Sequence, residues 1–333
     1  MANTKKILVS GSWAYDYLMQ YDGILQNTIL TEKLDHLSAG FTVFKKSIHF
    51  GGCAGNIAYN LKLFGNDPLV VGLIGSDFGN YADWLKKNGI DDSTLTLLPN
   101  TFTASAYILT DREQNQIQIF HGGAMLAEPE SVSMKNYDSI DVDWVIISPD
   151  DARRMPRLAR ECKELGFKYI FDPSQQISNI DEKFLREAVE GAEILIVNEY
   201  EADLLTKRLS VSREGLTEMV PTFIETRGEK GSLVVSRGGK NRFLSRDKNV
   251  RSEGETFFIP AVRPVKIVEP TGCGDAYRAG LLYGLSQGFG IEKSCQIGAL
   301  TATYVIETPG TQDHSFTLRE FKKRFEENFG EGF

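Results

Sequence analysis

The amino-acid sequence predicts an α/β fold in which helices cover a mostly parallel sheet and a small β-sheet projects from it as a lid. Three observations predict this. Short β-rich apolar runs alternate with amphipathic helical stretches through most of the chain, the pattern of strand–helix–strand units. Two segments, about 15–50 and about 101–123, break that rhythm with alternating polar and apolar residues, which suits antiparallel strands joined into one small sheet. Two glycine-rich runs, 51–55 and 272–274, open directly into helical patterns.

Taken in order, 7–9 reads as the first strand, reached after only a few polar residues. That apolar run is far too short for a signal peptide or a membrane span, so a cytoplasmic chain with no membrane partner is expected. Further strands are expected at 69–74, 144–147, 169–171, 194–197, 223–226 and 232–235, with helices among them at 81–88, 153–165 and 182–190. In the second lid segment, 104–109 and 116–120 flank the polar tip 111–115, which reads as a hairpin. No repeat, low-complexity tract or long linker interrupts the chain, so residues 1–333 are expected to form one domain with a lid.

Composition narrows the function. With 333 residues, 41% hydrophobic and 25% charged, the chain has the balance of an ordinary globular protein. Cys53, Cys162, Cys273 and Cys295 are scattered, with no Cys-x-x-Cys pair, so free thiols are expected. A net charge of −8 opposes binding to nucleic acid, and the one dense basic stretch, 240–251, has no interleaved aromatics and reads as a solvated hairpin.

The stretch Gly272-Cys273-Gly274-Asp275 carries most of the chemistry. Glycines leave room for a ligand to approach, and a helix start offers unpaired N–H groups and the positive end of the dipole. Phosphoryl transfer needs those features, because its catalysis is mainly positioning and electrostatics. Asp275 can accept the proton of an attacking hydroxyl, or serve only as a helix cap. At Gly51-Gly52 the glycines can hinge the lid, and Asn56 offers a donor and an acceptor to sugar hydroxyls or caps the following helix. Asn198 and Glu201 follow a buried-strand pattern, at the sheet edge where ligands bind. They suit either the water shell of Mg²⁺ or a helix cap. The run from Thr226 through Gly228 to Gly231 reads as a tight turn or as a loop over a nucleotide. Asp16, beyond the first strand, suits two sugar hydroxyls or a turn.

Together and in this order, these stretches resemble the PfkB (ribokinase-like) family of carbohydrate and nucleoside kinases along nearly the whole chain. The resemblance implies a three-layer α/β/α core, with Asp16, Gly51, Gly52 and Asn56 at the acceptor. It places Asn198, Thr226, Gly228 and Gly231 at ATP and Glu201 near Mg²⁺ through water. Gly272, Cys273 and Gly274 become the anion hole and Asp275 the base. Glu269 and Pro270 depart from the family's usual Asp-Thr next to a monovalent-cation site, which puts K⁺ activation in doubt. Within the family the chain looks most like bacterial ribokinase-type adenosine kinases, on 102–105, 122–125, 302–307 and 310–312. A nucleoside acceptor needs an apolar slot for its base, which Phe102, Phe120 and Met125 would supply, unless they only pack the lid.

The expected reaction is Mg²⁺-assisted transfer of the ATP γ-phosphoryl group to a nucleoside hydroxymethyl, with adenosine as first candidate. The rivals are a ribokinase- or fructokinase-type sugar kinase and a non-catalytic nucleotide-binding regulator on the same fold. A monomer or a homodimer formed through the lid is expected.

Overall fold

Strand residues alternate between two faces, and in the main sheet of this protein both faces are buried. The structure is a computed structural model that describes residues 6–28, 39–138, 140–237, 254–330 and 332–333. The basic stretch 240–251 and part of the first lid segment lie outside the described residues.

In chain order, β1 (Lys6–Ser10) and β2 (Ala14–Tyr21) precede the short α1 (Leu25–Thr28), β3 (Val43–Gly51), α2 (Cys53–Leu63), β4 (Leu69–Val71), β5 (Leu73–Gly75) and α3 (Gly79–Lys87). Next come β6 (Thr96–Leu98), β7 (Ala104–Thr110), β8 (Gln116–His121), β9 (Val142–Ile147), α4 (Arg154–Leu165), β10 (Tyr169–Phe171) and α5 (Glu182–Gly191). The chain continues with β11 (Ile194–Asn198), α6 (Glu199–Leu209), α7 (Arg213–Met219), β12 (Thr222–Thr226) and β13 (Ser232–Ser236). Last are β14 (Glu255–Ile259), α8 (Cys273–Ser286), α9 (Ile291–Ile306) and α10 (Leu318–Phe329).

Eight strands form the main sheet in the order β14-β13-β12-β11-β10-β9-β1-β4. Its neighbours from β4 to β12 are parallel, and β13 and β14 add antiparallel pairs at one edge. Ile7, Val9, Ile146, Ile170, Ile196 and Ile224 face a core shared with α2, α3, α8, α9 and α10. The alternate residues Leu8, Val145, Ile147, Phe171, Leu195 and Phe223 face a second core shared with α4, α5, α6 and α7. This is why the strands read as continuous apolar runs rather than alternating ones. Among the described residues all four cysteines are free, and no helix is long and apolar enough to cross a membrane.

Two expectations need correction. The run 69–74 is not one strand: β4 joins the main sheet, while β5 leaves it to pair with β6 in a separate two-stranded sheet. Gly72 lies between them, packed so tightly under the Trp13 ring and the Gly11 carbonyl that a Cβ has no room there. The lid segments do combine into one four-stranded sheet, β3-β2-β7-β8, but they join through a parallel pair, β2 with β7. Only the β2–β3 and β7–β8 pairs are antiparallel. At the tip of the β7–β8 hairpin, the Asp111 carboxylate accepts from the amides of Leu25, Glu113 and Asn115.

Candidate active site

Asp16 sits on β2 opposite His49 of β3, and on its other side opposite Ala106 of β7, which in turn pairs with Phe120 of β8. These residues form one row across the small sheet, so their side chains share a face. Gly51 lacks the Cβ that would collide with the Asp16 carboxylate, and Gly52, at φ 84°, heads α2. Burial pushes the Asp16 carboxyl up to about 6, with His49 opposing and Asp275 and Glu269 adding to the rise.

Asp275 lies in the first turn of α8. Gly272, the N-cap, has φ 83° and offers no side-chain cap, which leaves the leading amides of the helix free to meet an anion. The amide of Cys273 already bonds to the Pro270 carbonyl at 3.3 Å, and its thiol contacts the Ala302 carbonyl at 3.5 Å. Of the three expected anion-hole amides, that of Cys273 is therefore already engaged, while Gly274 is exposed. Asp275 Oδ2 accepts from Asn56 Nδ2 at 2.8 Å. Burial raises the pKa of the Asp275 carboxyl, while the Asn56 bond and the Arg278 charge hold it down. Asn56 is thus buried and aimed at Asp275, its Oδ1 taken by Gln312 Nε2 at 3.0 Å.

On the same helix as Asp275, Arg278 forms a buried two-pronged pair with Asp172, with Nη2 donating to Oδ1 at 2.7 Å and Nε facing Oδ2. Burial pushes Asp172 up to about 7 against the pull of Arg278, with Glu201 and Asp275 adding to the rise.

At the carboxyl edge of the main sheet, Asn198 and Glu201 form a capping box at the start of α6, with both hydrogen bonds at 2.8 Å. Glu201 is buried rather than an exposed first-turn acid, and its Oε1 accepts from Ser174 Oγ at 3.1 Å. Thr226 is the register partner of Asn198 on β12. The 226–231 run is a tight turn closed by Arg227 N to Gly231 O at 2.7 Å. Gly228 there has φ 55° and open space around it, while Gly231, at φ 89°, is wedged against the Ile259 carbonyl. Among the described residues no three His, Cys, Asp or Glu side chains gather as a metal cluster. Glu269 Oε1 is bonded by Thr271 Oγ1 at 2.7 Å, and the amides of Val268 and Glu269 both donate to the Ile306 carbonyl.

A cavity of about 610 Å³ opens between the small sheet and the 268–271 run. Asp16, His49, Glu269 and Thr311 supply polar lining, and Leu18, Phe44 and Ile108 supply apolar lining. Of the three side chains expected to form a base slot, Phe120 shares the Asp16 face and is 56% exposed. Phe102 is exposed just before β7. Met125 is buried, packed against Ala14 and Ala104, which is the lid-packing alternative rather than an open face of the slot.

A model of the pfkB family of carbohydrate kinases matches residues 19–317. The chain belongs to that family. The match begins just past Asp16 and takes in the α2, α6 and α8 helix starts. This family member is 28% identical over 327 residues to a nucleoside kinase of Methanocaldococcus jannaschii, covering 97% of this chain and 98% of that protein. Its fold matches a solved nucleoside kinase of Burkholderia thailandensis in complex with inosine, with TM-score 0.80, 34% identity and coverage of 98% and 99% of the two chains. A solved M. jannaschii nucleoside kinase, described as an archaeal member of the ribokinase family, gives TM-score 0.83 at 27% identity and covers 97% and 98%. The fold is ribokinase-like.

His49, Asp172, Arg278 and Gln312 were not singled out as site residues from the sequence. Each earns its place through a partner far away in the chain, 106 residues for Arg278 with Asp172 and 256 for Gln312 with Asn56. Local pattern carries no such signal.

Proposed function

We propose that this chain transfers the γ-phosphoryl group of ATP to the 5′-hydroxyl of a nucleoside, with a purine nucleoside such as adenosine as the leading acceptor. One observation carries the nucleoside reading: the row His49, Asp16, Ala106, Phe120 puts an exposed aromatic ring on the same face of the small sheet as the Asp16 carboxylate, which lies near Asp275. Phe120 lies two strand spacings, about 10 Å, from Asp16. That separation suits a ribose held at Asp16 and its base on an aromatic platform at Phe120. The inosine bound to the Burkholderia relative favours a purine.

In this mechanism Asp275 takes the hydroxyl proton as the oxygen attacks the γ-phosphorus in line, and ADP leaves with the electrons of the broken bond. The amides heading α8 stabilise the moving phosphoryl group through their N–H donors. Asn198 and Thr226 lie at the sheet edge that receives the nucleotide. Mg²⁺ prefers a few oxygen partners beside phosphates and water, and the oxygen set at Glu201 fits that mode rather than an all-protein cage. When bound, the ion offsets phosphate charge.

The test is ATP consumption with adenosine, inosine, cytidine, ribose and fructose as acceptors, for the native chain and Phe120→Ala. Nucleosides should outrun free sugars, and the variant should lose about tenfold in kcat/KM for nucleosides with little change for ribose. Equal losses for both, or a preference for a free sugar, would sink the nucleoside reading.

The pH dependence of acceptor binding follows from Asp16. Its carboxylate accepts two hydroxyl hydrogen bonds only when ionised, and its pKa stands at about 6. The acceptor KM should therefore be steady above that pH and climb as pH falls through it. An Asp16→Asn variant should flatten the climb; an unchanged profile would remove Asp16 from the acceptor site.

A further inference from the structure

The tryptophan indole is a hydrogen-bond donor only, and one such group starts a chain that ends on the base. Trp84 Nε1 on α3 donates to Gln312 Oε1 at 3.0 Å. That contact fixes which end of the Gln312 amide is oxygen. Its Nε2 must face the other way, where it donates to Asn56 Oδ1 at 3.0 Å and to the Tyr81 hydroxyl at 2.6 Å. The Tyr81 hydroxyl in turn donates a hydrogen bond to the Gly51 carbonyl at 2.9 Å. With Asn56 Oδ1 occupied, its Nδ2 is turned to Asp275 Oδ2 at 2.8 Å. The bonds from Trp84 through Gln312 and Asn56 thus all run toward the carboxylate, with Tyr81 on a side branch, and both polar ends of Gln312, only 2% exposed, are engaged.

We infer that Gln312 is a positioning residue for the reaction: it sets the orientation of the Asn56 amide so that a donor, not an acceptor, meets Asp275. This rests on the reading of Asp275 as the base. An amide turned the other way would place Asn56 Oδ1 against the carboxylate, favour the protonated acid and remove the proton acceptor at neutral pH. The other charged or titratable groups around Asp275 are Asp16 from β2, Cys53 from α2, Tyr81 from α3, Asp172 after β10, and Cys273 and Arg278 on α8. Of these groups only Tyr81 bonds to Gln312 directly, so a change at Gln312 leaves the others with their own partners.

The experiment measures kcat against pH for the native chain, Gln312→Met, Gln312→Glu, Trp84→Phe and Asp275→Asn. Gln312→Met keeps the side-chain length and drops all three hydrogen bonds, to Trp84, Asn56 and Tyr81. Gln312→Glu keeps the acceptor for Trp84 but cannot donate to Asn56 once ionised. The acid limb of kcat should move up by about one pH unit in both Gln312 variants, with ATP KM unchanged, and by less in Trp84→Phe. Folded Gln312 variants whose acid limb stays at the native position would overturn the assignment. If those variants do not fold, an unmoved limb in Trp84→Phe overturns it instead. Turnover retained by Asp275→Asn would sink the base itself, whereas an inactive Asp275→Asn beside unshifted Gln312 variants sinks only the relay.

Discussion

Replacing Asp275 by Asn should lower kcat by about 10³-fold while ATP and the acceptor still bind, since general-base catalysis contributes on that order. The carboxamide keeps an oxygen for Asn56 Nδ2, so the first turn of α8 need not rearrange. The same change should raise the melting temperature. Burial raises the Asp275 pKa, so the folded chain holds this proton more tightly than the unfolded chain does. Stability from the group is then highest at acid pH and falls as pH rises from the ordinary carboxylate range through the folded pKa. At neutral pH the charge is a strain on the fold that Asn removes. Steady-state kinetics, nucleotide titration and thermal melts check the three parts separately, and turnover within tenfold of native would rule Asp275 out as the base.

Replacing Arg278 by Met should strongly destabilise the fold. It leaves Asp172, 1% exposed, without its two-pronged partner. Removing one partner of a buried pair costs about 3–5 kcal/mol, whereas removing both can be nearly neutral. Glu201 and Asp275 also lie close enough to repel the uncompensated carboxylate. Urea unfolding of Arg278→Met should show that loss, and Asp172→Asn added to it should recover much of the stability. A single variant within about 1 kcal/mol of native would mean that the pair does not hold this corner.

Much of this arrangement was legible in the sequence. The strands 7–9, 144–147, 169–171, 194–197 and 232–235 appear within a residue or two of their expected bounds, because strands buried on both faces leave continuous apolar runs. Asp275 was legible as a helix-start acid after glycines. The split at Gly72 was not, since it depends on where the Trp13 ring lands. The parallel joining of β2 to β7 was also hidden, because alternation shows which residues share a face and not which way the neighbouring strand runs. At Asn198 and Glu201, local spacing suited a cap, the commoner case, as well as a nucleotide site, and the capping box formed in the structure occupies the sheet edge that the nucleotide reading requires. For Met125 the sequence left two readings open, because a methionine beside glycines reads the same whether it lines a slot or fills a gap.

Trp84 has a second consequence through its neighbours. Of the three indoles, Trp13 and Trp144 are sealed at 1% exposed. Trp84 instead lies nearly face to face with Phe50 of β3, ring centres 5.4 Å apart, and with Tyr59 of α2 at 6.1 Å. Phe50 belongs to the small sheet and Tyr59 to the helix that carries Asn56. One of the three indoles therefore sits where the four-stranded sheet meets the main body, and its share of the emission should report how that sheet is seated.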